Sequence, residues 1–194
     1  MLGEGQSGQI QEIGFTLYTQ LLERAVDALK SGKIPDYDKP LARATEIDLG
    51  VPALLPDNYV PDVHLRLILY KRISHAADNE ALREMKIELI DRFGLLPPQA
   101  EFLFEATRLR LRCNALGIER LELNARGGRI VFGPEPHIDT LVLIQLIQSK
   151  SAEFRFDGKT VLRIIRELEY HDERLEYIDE LFDQIADKEA PAVA

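Results

Sequence analysis

The chain has 194 residues, 24 Lys+Arg against 33 Asp+Glu, 45% hydrophobic residues, no tryptophan and one cysteine. That length suits one medium domain, or one domain with an appendage, and the apolar fraction is too high for intrinsic disorder. A net charge of −9 argues against a stand-alone nucleic-acid binder, which needs surplus Lys and Arg, and a lone Cys113 rules out a disulfide framework or multi-cysteine zinc site.

Residues 1–9 are Gly-rich and polar and read as loop. Ile10, Ile13, Leu17, Leu21, Leu22, Val26 and Leu29 then repeat at helical spacing, with Gly32 where the chain leaves that helix. Two prolines make 31–44 a linker, so 1–44 reads as a tethered helix ahead of a body that starts near Thr45. Thr45–Leu49 alternates as a short strand, and Pro52, Pro56 and Pro61 force extended and turn structure as far as Val63. Helices are predicted at His64–Ala77 and at Glu80–Phe93, the latter capped by Asp78 or Asn79 and stopped by Gly94. A third, Pro98–Leu116, has Phe102, Ala106, Leu109, Cys113 and Leu116 as its apolar stripe.

The period then switches. Ile118–Leu123 and Arg129–Phe132 alternate around 124–128 as a hairpin, and Ile138–Gln148 reads as a short helix. Glu153–Phe156 and Lys159–Leu162 flank Asp157-Gly158, a two-residue turn that would set Phe154 opposite Val161. A last helix is predicted over Arg163–Asp187, with Leu168, Leu175, Ile178, Phe182 and Ile185 inward. The fold class is α+β: a helical cluster packed with small antiparallel β-hairpins. The body runs over 45–187, and 188–194 reads as a disordered tail. No apolar run nears the roughly 20 residues of a membrane span, and the N-terminus lacks a signal peptide's apolar core, so a cytoplasmic protein is expected.

The motifs of catalysis fail on context. Gly3-Glu4-Gly5-Gln6-Ser7-Gly8 matches GxGxxG, but only Met1 and Leu2 precede it, where a dinucleotide site needs a strand. Gly158-Lys159-Thr160 imitates the end of a phosphate loop, yet Glu153 stands where its first glycine belongs. His64, His75, His137 and His171 show no metal-ligand spacing. Cys113 on an apolar stripe reads as a buried, inert thiol. No enzyme activity, cofactor or metal is expected.

Charge is more informative. On the helix Glu80–Phe93, Glu84, Glu88 and Asp91 fall within about 60° of one another at 100° per residue. Leu82, Met85, Leu89 and Phe93 lie opposite, and Ile87 lands beside the acids. Glu84 and Glu88 repel at i,i+4, and Glu88–Arg92 pairing can offset this. On geometry alone a solvated face is favoured over a docking face for a basic partner. The last helix is denser still, net −6 from Asp172 to Glu189 against only Arg174 and Lys188, and reads as a solvated outer face. Arg108, Arg110 and Arg112 fan around their helix rather than forming a nucleic-acid patch.

Three stretches carry a family resemblance. LGEGQSGQIQEIGFTLYTQLLERAVDALK resembles the tail of a helicase-like translocation module, TEIDLGVPALLPDNYVPDV at 45–63 the lead-in to a C-terminal domain, and KIELIDRFGLLPPQA at 86–100 that domain's most distinctive motif. Together they resemble the C-terminal end of the bacterial transcription-repair coupling factors, over essentially the whole chain to about Asp187. The resemblance implies a parent that is an ATP-dependent DNA translocase, displaces stalled RNA polymerase and recruits excision repair, with motor motifs outside this chain. It implies that the C-terminal domain docks on the factor's own UvrB-like module and masks UvrA binding. RNA polymerase and DNA would be met by other modules, and no membrane or direct nucleic-acid contact is expected. Carried over by motif, the docking residues are Glu88 and Asp91. Helix geometry adds Glu84 and Ile87, with Arg92 as Glu88's partner, and both Glu88 and Asp91 are expected to be exposed. The competing role is a structural support for the motor lobe through the helix Ile10–Leu29.

Overall fold

A computed structural model describes residues 45–187. The Gly-rich loop, the helix Ile10–Leu29, the linker and the 188–194 tail lie outside the described residues. Within them the chain divides into two compact units, one comprising 45–47 and 51–111, the other 48–50 and 112–187.

The first unit is a cluster of helices under a proline-rich extended segment. Helix α1 (Val63–Ser74) starts where the Asp62 carboxylate accepts from the Leu65 N–H at 2.8 Å. Helix α2 (Asn79–Phe93) starts the same way, Asp78 accepting from Ala81 at 2.8 Å, and Gly94 ends it with φ +87°. Helix α3 (Pro98–Ala115) opens on a proline, whose missing N–H costs nothing at a first turn. Leu69, Tyr70 and Ile73 of α1 pack with Leu82, Met85 and Leu89 of α2 and Ala100, Leu103 and Phe104 of α3. The preceding segment is tied in by Tyr70, whose hydroxyl accepts from the Leu55 N–H at 2.7 Å.

The α3 stripe differs from expectation. Leu109, Cys113 and Leu116 are buried, but Phe102 and Ala106 are only half-buried, and Leu103, Phe104 and Thr107 replace them. The helix belongs to the first unit as far as Leu111 and to the second from Arg112 onward. Thr107 is tolerated inside because its hydroxyl donates to the Leu103 carbonyl at 2.8 Å.

The second unit is built on a sheet. Strands β1 (Glu46–Asp48, of which only Asp48 falls in this unit), β2 (Ile118–Asn124), β3 (Gly127–Phe132), β4 (Phe154–Asp157) and β5 (Val161–Ile164) lie in the order β1-β2-β3-β5-β4. Helices α4 (Thr140–Ser149) and α5 (His171–Ile185) complete the unit. The α+β class holds, with both hairpins merged into one sheet by antiparallel pairing of β3 with β5.

Two elements correct the sequence reading. Phe154 faces Ile164, not Val161, because Asp157 pairs with Val161 across a three-residue loop, 158–160. Pairing with β3, which sets Ile130 opposite Leu162, fixes that register from the other side. The last helix starts at His171, not Arg163. Arg163 and Ile164 belong to β5, Leu168 is buried in the connection, and Leu175 is only half-buried, with Leu181 buried instead. Strand pairing outweighs the helix-forming residues of 163–169.

Candidate functional site: the outer face of α2

The apolar residues of α2 turn inward, which leaves Glu84, Ile87 and Asp91 on its outer face. Ile87 is 50% exposed, and Leu95, just past the helix, is 86% exposed. The end of α2 is pinned from behind by Tyr59, whose hydroxyl lies 2.9 Å from the Gly94 carbonyl and 3.2 Å from that of Leu89. The Tyr59 ring also meets Phe93 edge-on at 5.8 Å. Arg92 lies over the Phe93 ring at 5.1 Å.

Glu88 departs from expectation. It is half-buried, and Arg72 of α1 reaches its two oxygens at 3.0 and 2.6 Å while Arg92 donates to Oε1 at 3.0 Å. The Arg72 hydrogen bonds, helped by Arg92 and opposed by burial, lower the Glu88 carboxyl from 4.5 to about 2. Of the five predicted docking residues, Glu84, Ile87, Asp91 and Arg92 are exposed, whereas Glu88 serves chiefly to tie α2 to α1. Arg72, sixteen residues away, is the participant that helix geometry misses, because the i,i+4 rule sees only partners on the same helix. Leu95 is the other omission. Its signal is a leucine directly after a helix-ending glycine and before Leu96-Pro97-Pro98, where no helix can bury it.

The other charged candidates are spent internally. Arg112 donates to Asp179 at 2.7 Å and closely to Asp183, and stacks over Phe182 at 5.5 Å, so part of the acidic last helix is an ion-pair surface rather than a solvated one. Arg108 pairs with Glu105 at 2.8 Å, and Arg110 donates to the Ser74 carbonyl at 2.7 Å. Cys113 is fully buried, and that burial pushes its thiol up to about 12. Among the described residues no group of His, Cys, Asp or Glu could hold a metal ion, and no helix is long and apolar enough to cross a membrane. Gly158-Lys159-Thr160 forms the hairpin loop between β4 and β5, not a turn into a helix.

The family model described as the TRCF domain matches residues 49–143, a span that takes in α1, α2 and α3. The chain belongs to the TRCF-domain family. It is 46% identical over 178 residues to the transcription-repair-coupling factor of Escherichia coli (strain K12), covering 92% of the chain and 16% of that protein. Against the factor of Haemophilus influenzae (strain ATCC 51907 / DSM 11121 / KW20 / Rd) it is 43% identical over 186 residues, or 96% of the chain and 16% of that protein. The factor of Myxococcus xanthus is 34% identical over 165 residues, 84% of the chain and 13% of that protein. The chain thus spans about a sixth of the first two relatives. A crystal structure of the C-terminal domain of transcription-repair coupling factor shares the TRCF chain's fold. It superposes with a TM-score of 0.54 at 22% identity, over 69% of this chain and 86% of that one.

Proposed function

We propose that this TRCF-domain chain is a non-catalytic, autoinhibitory module of a transcription-repair coupling factor. It docks through the outer face of α2 on the factor's own UvrB-like module and so masks the surface that binds UvrA. In this reading residues 1–44 belong to the end of the translocation module and 45–187 form the regulatory part. The ATP-driven displacement of stalled RNA polymerase, the contact with DNA and the recruitment of excision repair are work of the whole cytoplasmic factor.

The supporting observation is the exposed trio of Glu84, Ile87 and Asp91 on a helix held rigid by Tyr59 and by the Arg72–Glu88 bridge. Rim ion pairs of about 0.2–1 kcal/mol each, around one exposed isoleucine, give a latch of a few kcal/mol. Such a latch leaves the open state at the per cent level, from which an engaged polymerase can select it. The test is calorimetric titration of this chain against the isolated UvrB-like module at low and moderate salt. Binding should weaken with salt and fall about tenfold or more in Glu84→Lys/Asp91→Lys. Binding indifferent to both changes, or none at either salt, overturns the assignment of this face.

A further inference from the structure

The open face of the sheet in the second unit carries the opposite charge. Its register places Glu122 of β2 opposite Arg129 of β3, Arg129 opposite Arg163 of β5, and Arg163 opposite Arg155 of β4. Leu121, Ile130, Leu162 and Ile164 are buried on the other face, and side chains alternate along each strand, so this row faces solvent. Neighbouring strands lie about 4.8 Å apart, so three arginines rise from a strip about 10 Å wide. Like charges directly opposed weaken a sheet. Arg129 is compensated by Glu122 at 2.6 Å and Arg163 by Asp157 at 2.8 Å. The side chains of Arg155, and of Arg126 in the β2–β3 turn, have no ion pair or hydrogen bond among the described residues. Arg126, Arg155 and Arg163 line one cleft of about 390 Å³, beside Asn124 and the 54% exposed Ile165.

We infer that this cleft is a docking site for an acidic segment of a partner protein, with a carboxylate held by Arg126 and Arg155 and apolar contact on Ile165. Planar guanidinium groups suit carboxylates, and arginine is favoured at protein interfaces. The row and the cleft lining contain no aromatic ring on which a nucleic-acid base could stack. Glu122 and Asp157 interrupt the basic surface and would repel a continuous phosphate backbone, as does the overall charge of −9. A short acidic segment instead feels mainly the local arginines, since more distant charge is screened. This site shares no residue with the α2 face.

The test is fluorescence anisotropy of the full chain with a labelled oligo-glutamate peptide, a labelled glycine-serine peptide, and labelled single-stranded and duplex DNA, at low and physiological salt. The glutamate peptide alone should bind, and Arg126→Glu/Arg155→Glu should weaken it about tenfold or more. Arg126→Gln/Arg155→Gln should give a smaller loss in the same direction, and decides the matter if the charge-reversed chain fails to fold. Arg83→Glu, an exposed arginine on α2, should change nothing. Absent peptide binding, an equal loss in Arg83→Glu, or tighter binding of DNA that depends on Arg126 and Arg155 overturns the inference.

Discussion

Replacing Glu88 by Lys removes three charge-assisted hydrogen bonds and sets an ammonium among two guanidinium groups, those of Arg72 and Arg92. The lowering of the Glu88 carboxyl to about 2 corresponds formally to about 3 kcal/mol of folded-state preference. Solvent reaches the site, however: the Glu88 side chain is 32% exposed, and those of Arg72 and Arg92 are 44% and 46% exposed. Screening reduces the network to about 1 kcal/mol, and each new like-charge contact costs about 0.2–0.5 kcal/mol more. Glu88→Lys should therefore destabilise the chain by about 1.5–2 kcal/mol, seen in urea as a midpoint lower by roughly 1 M. Asp91→Lys, exposed on the next turn, should stay within about 0.5 kcal/mol of the parent. The pH dependence has a definite sign. A carboxyl depressed on folding stabilises fully above its unfolded value, and that contribution drains away as pH falls through the folded one. The stability gap between parent and Glu88→Gln should thus be complete at neutral pH, shrink below about 4.5 and vanish near 2. A Glu88→Lys chain as stable as Asp91→Lys would refute the bridge, and would return Glu88 to the exposed docking position that the family motif implies.

Among the described residues the buried Arg174 has no carboxylate partner and donates to the carbonyls of Leu49, Leu168 and Glu169 at 2.9–3.0 Å. Arg174→Met should cost about 2–4 kcal/mol in thermal unfolding through acceptors left without a donor, and a loss under about 0.5 kcal/mol would contradict that role. Cys113, pushed up to about 12, should resist a disulfide reagent at pH 8 in the folded chain and react in urea; rapid native labelling would disprove its burial. Gly117 has φ +68°, and a Cβ there would lie 2.8 Å from the Glu135 carbonyl oxygen, so Gly117→Ala should lose about 1–3 kcal/mol in the same unfolding assay. An unchanged midpoint would show that the Glu135-Pro136 backbone yields.

Local chemistry made α2 legible. Asp78, Gly94 and the 82/85/89 repeat announce its start, its end and its buried side, and those same residues define which face remains open. Apart from Leu95, whose signal is local, the failures are non-local. Asp157-Gly158 is a strong two-residue turn signal, but β3 holds β5 in a register that needs three loop residues. Nothing within 163–169 reveals that β3 is waiting to pair with its first residues. The wheel that placed Glu88 outside had no means of finding Arg72 on another helix, and the scattered arginines at 129, 155 and 163 become a row only when three strands are aligned. Arg174 read as a stray base in an acidic run, since the carbonyls that accept from it are partners no residue pattern encodes.

The Tyr59 hydroxyl spans the Leu89 and Gly94 carbonyls, so the last turn of α2 and the glycine that ends it are tied down within the fold, without a partner. Docking on such a surface loses little conformational freedom on this side, and association is set by diffusional encounter and charge steering rather than by a folding step. Differences in hold among variants of Glu84 and Asp91 would then be expressed as residence time. For the proposed autoinhibitory role, which requires release on cue, such a surface would re-engage quickly and leave the release rate alone to be tuned.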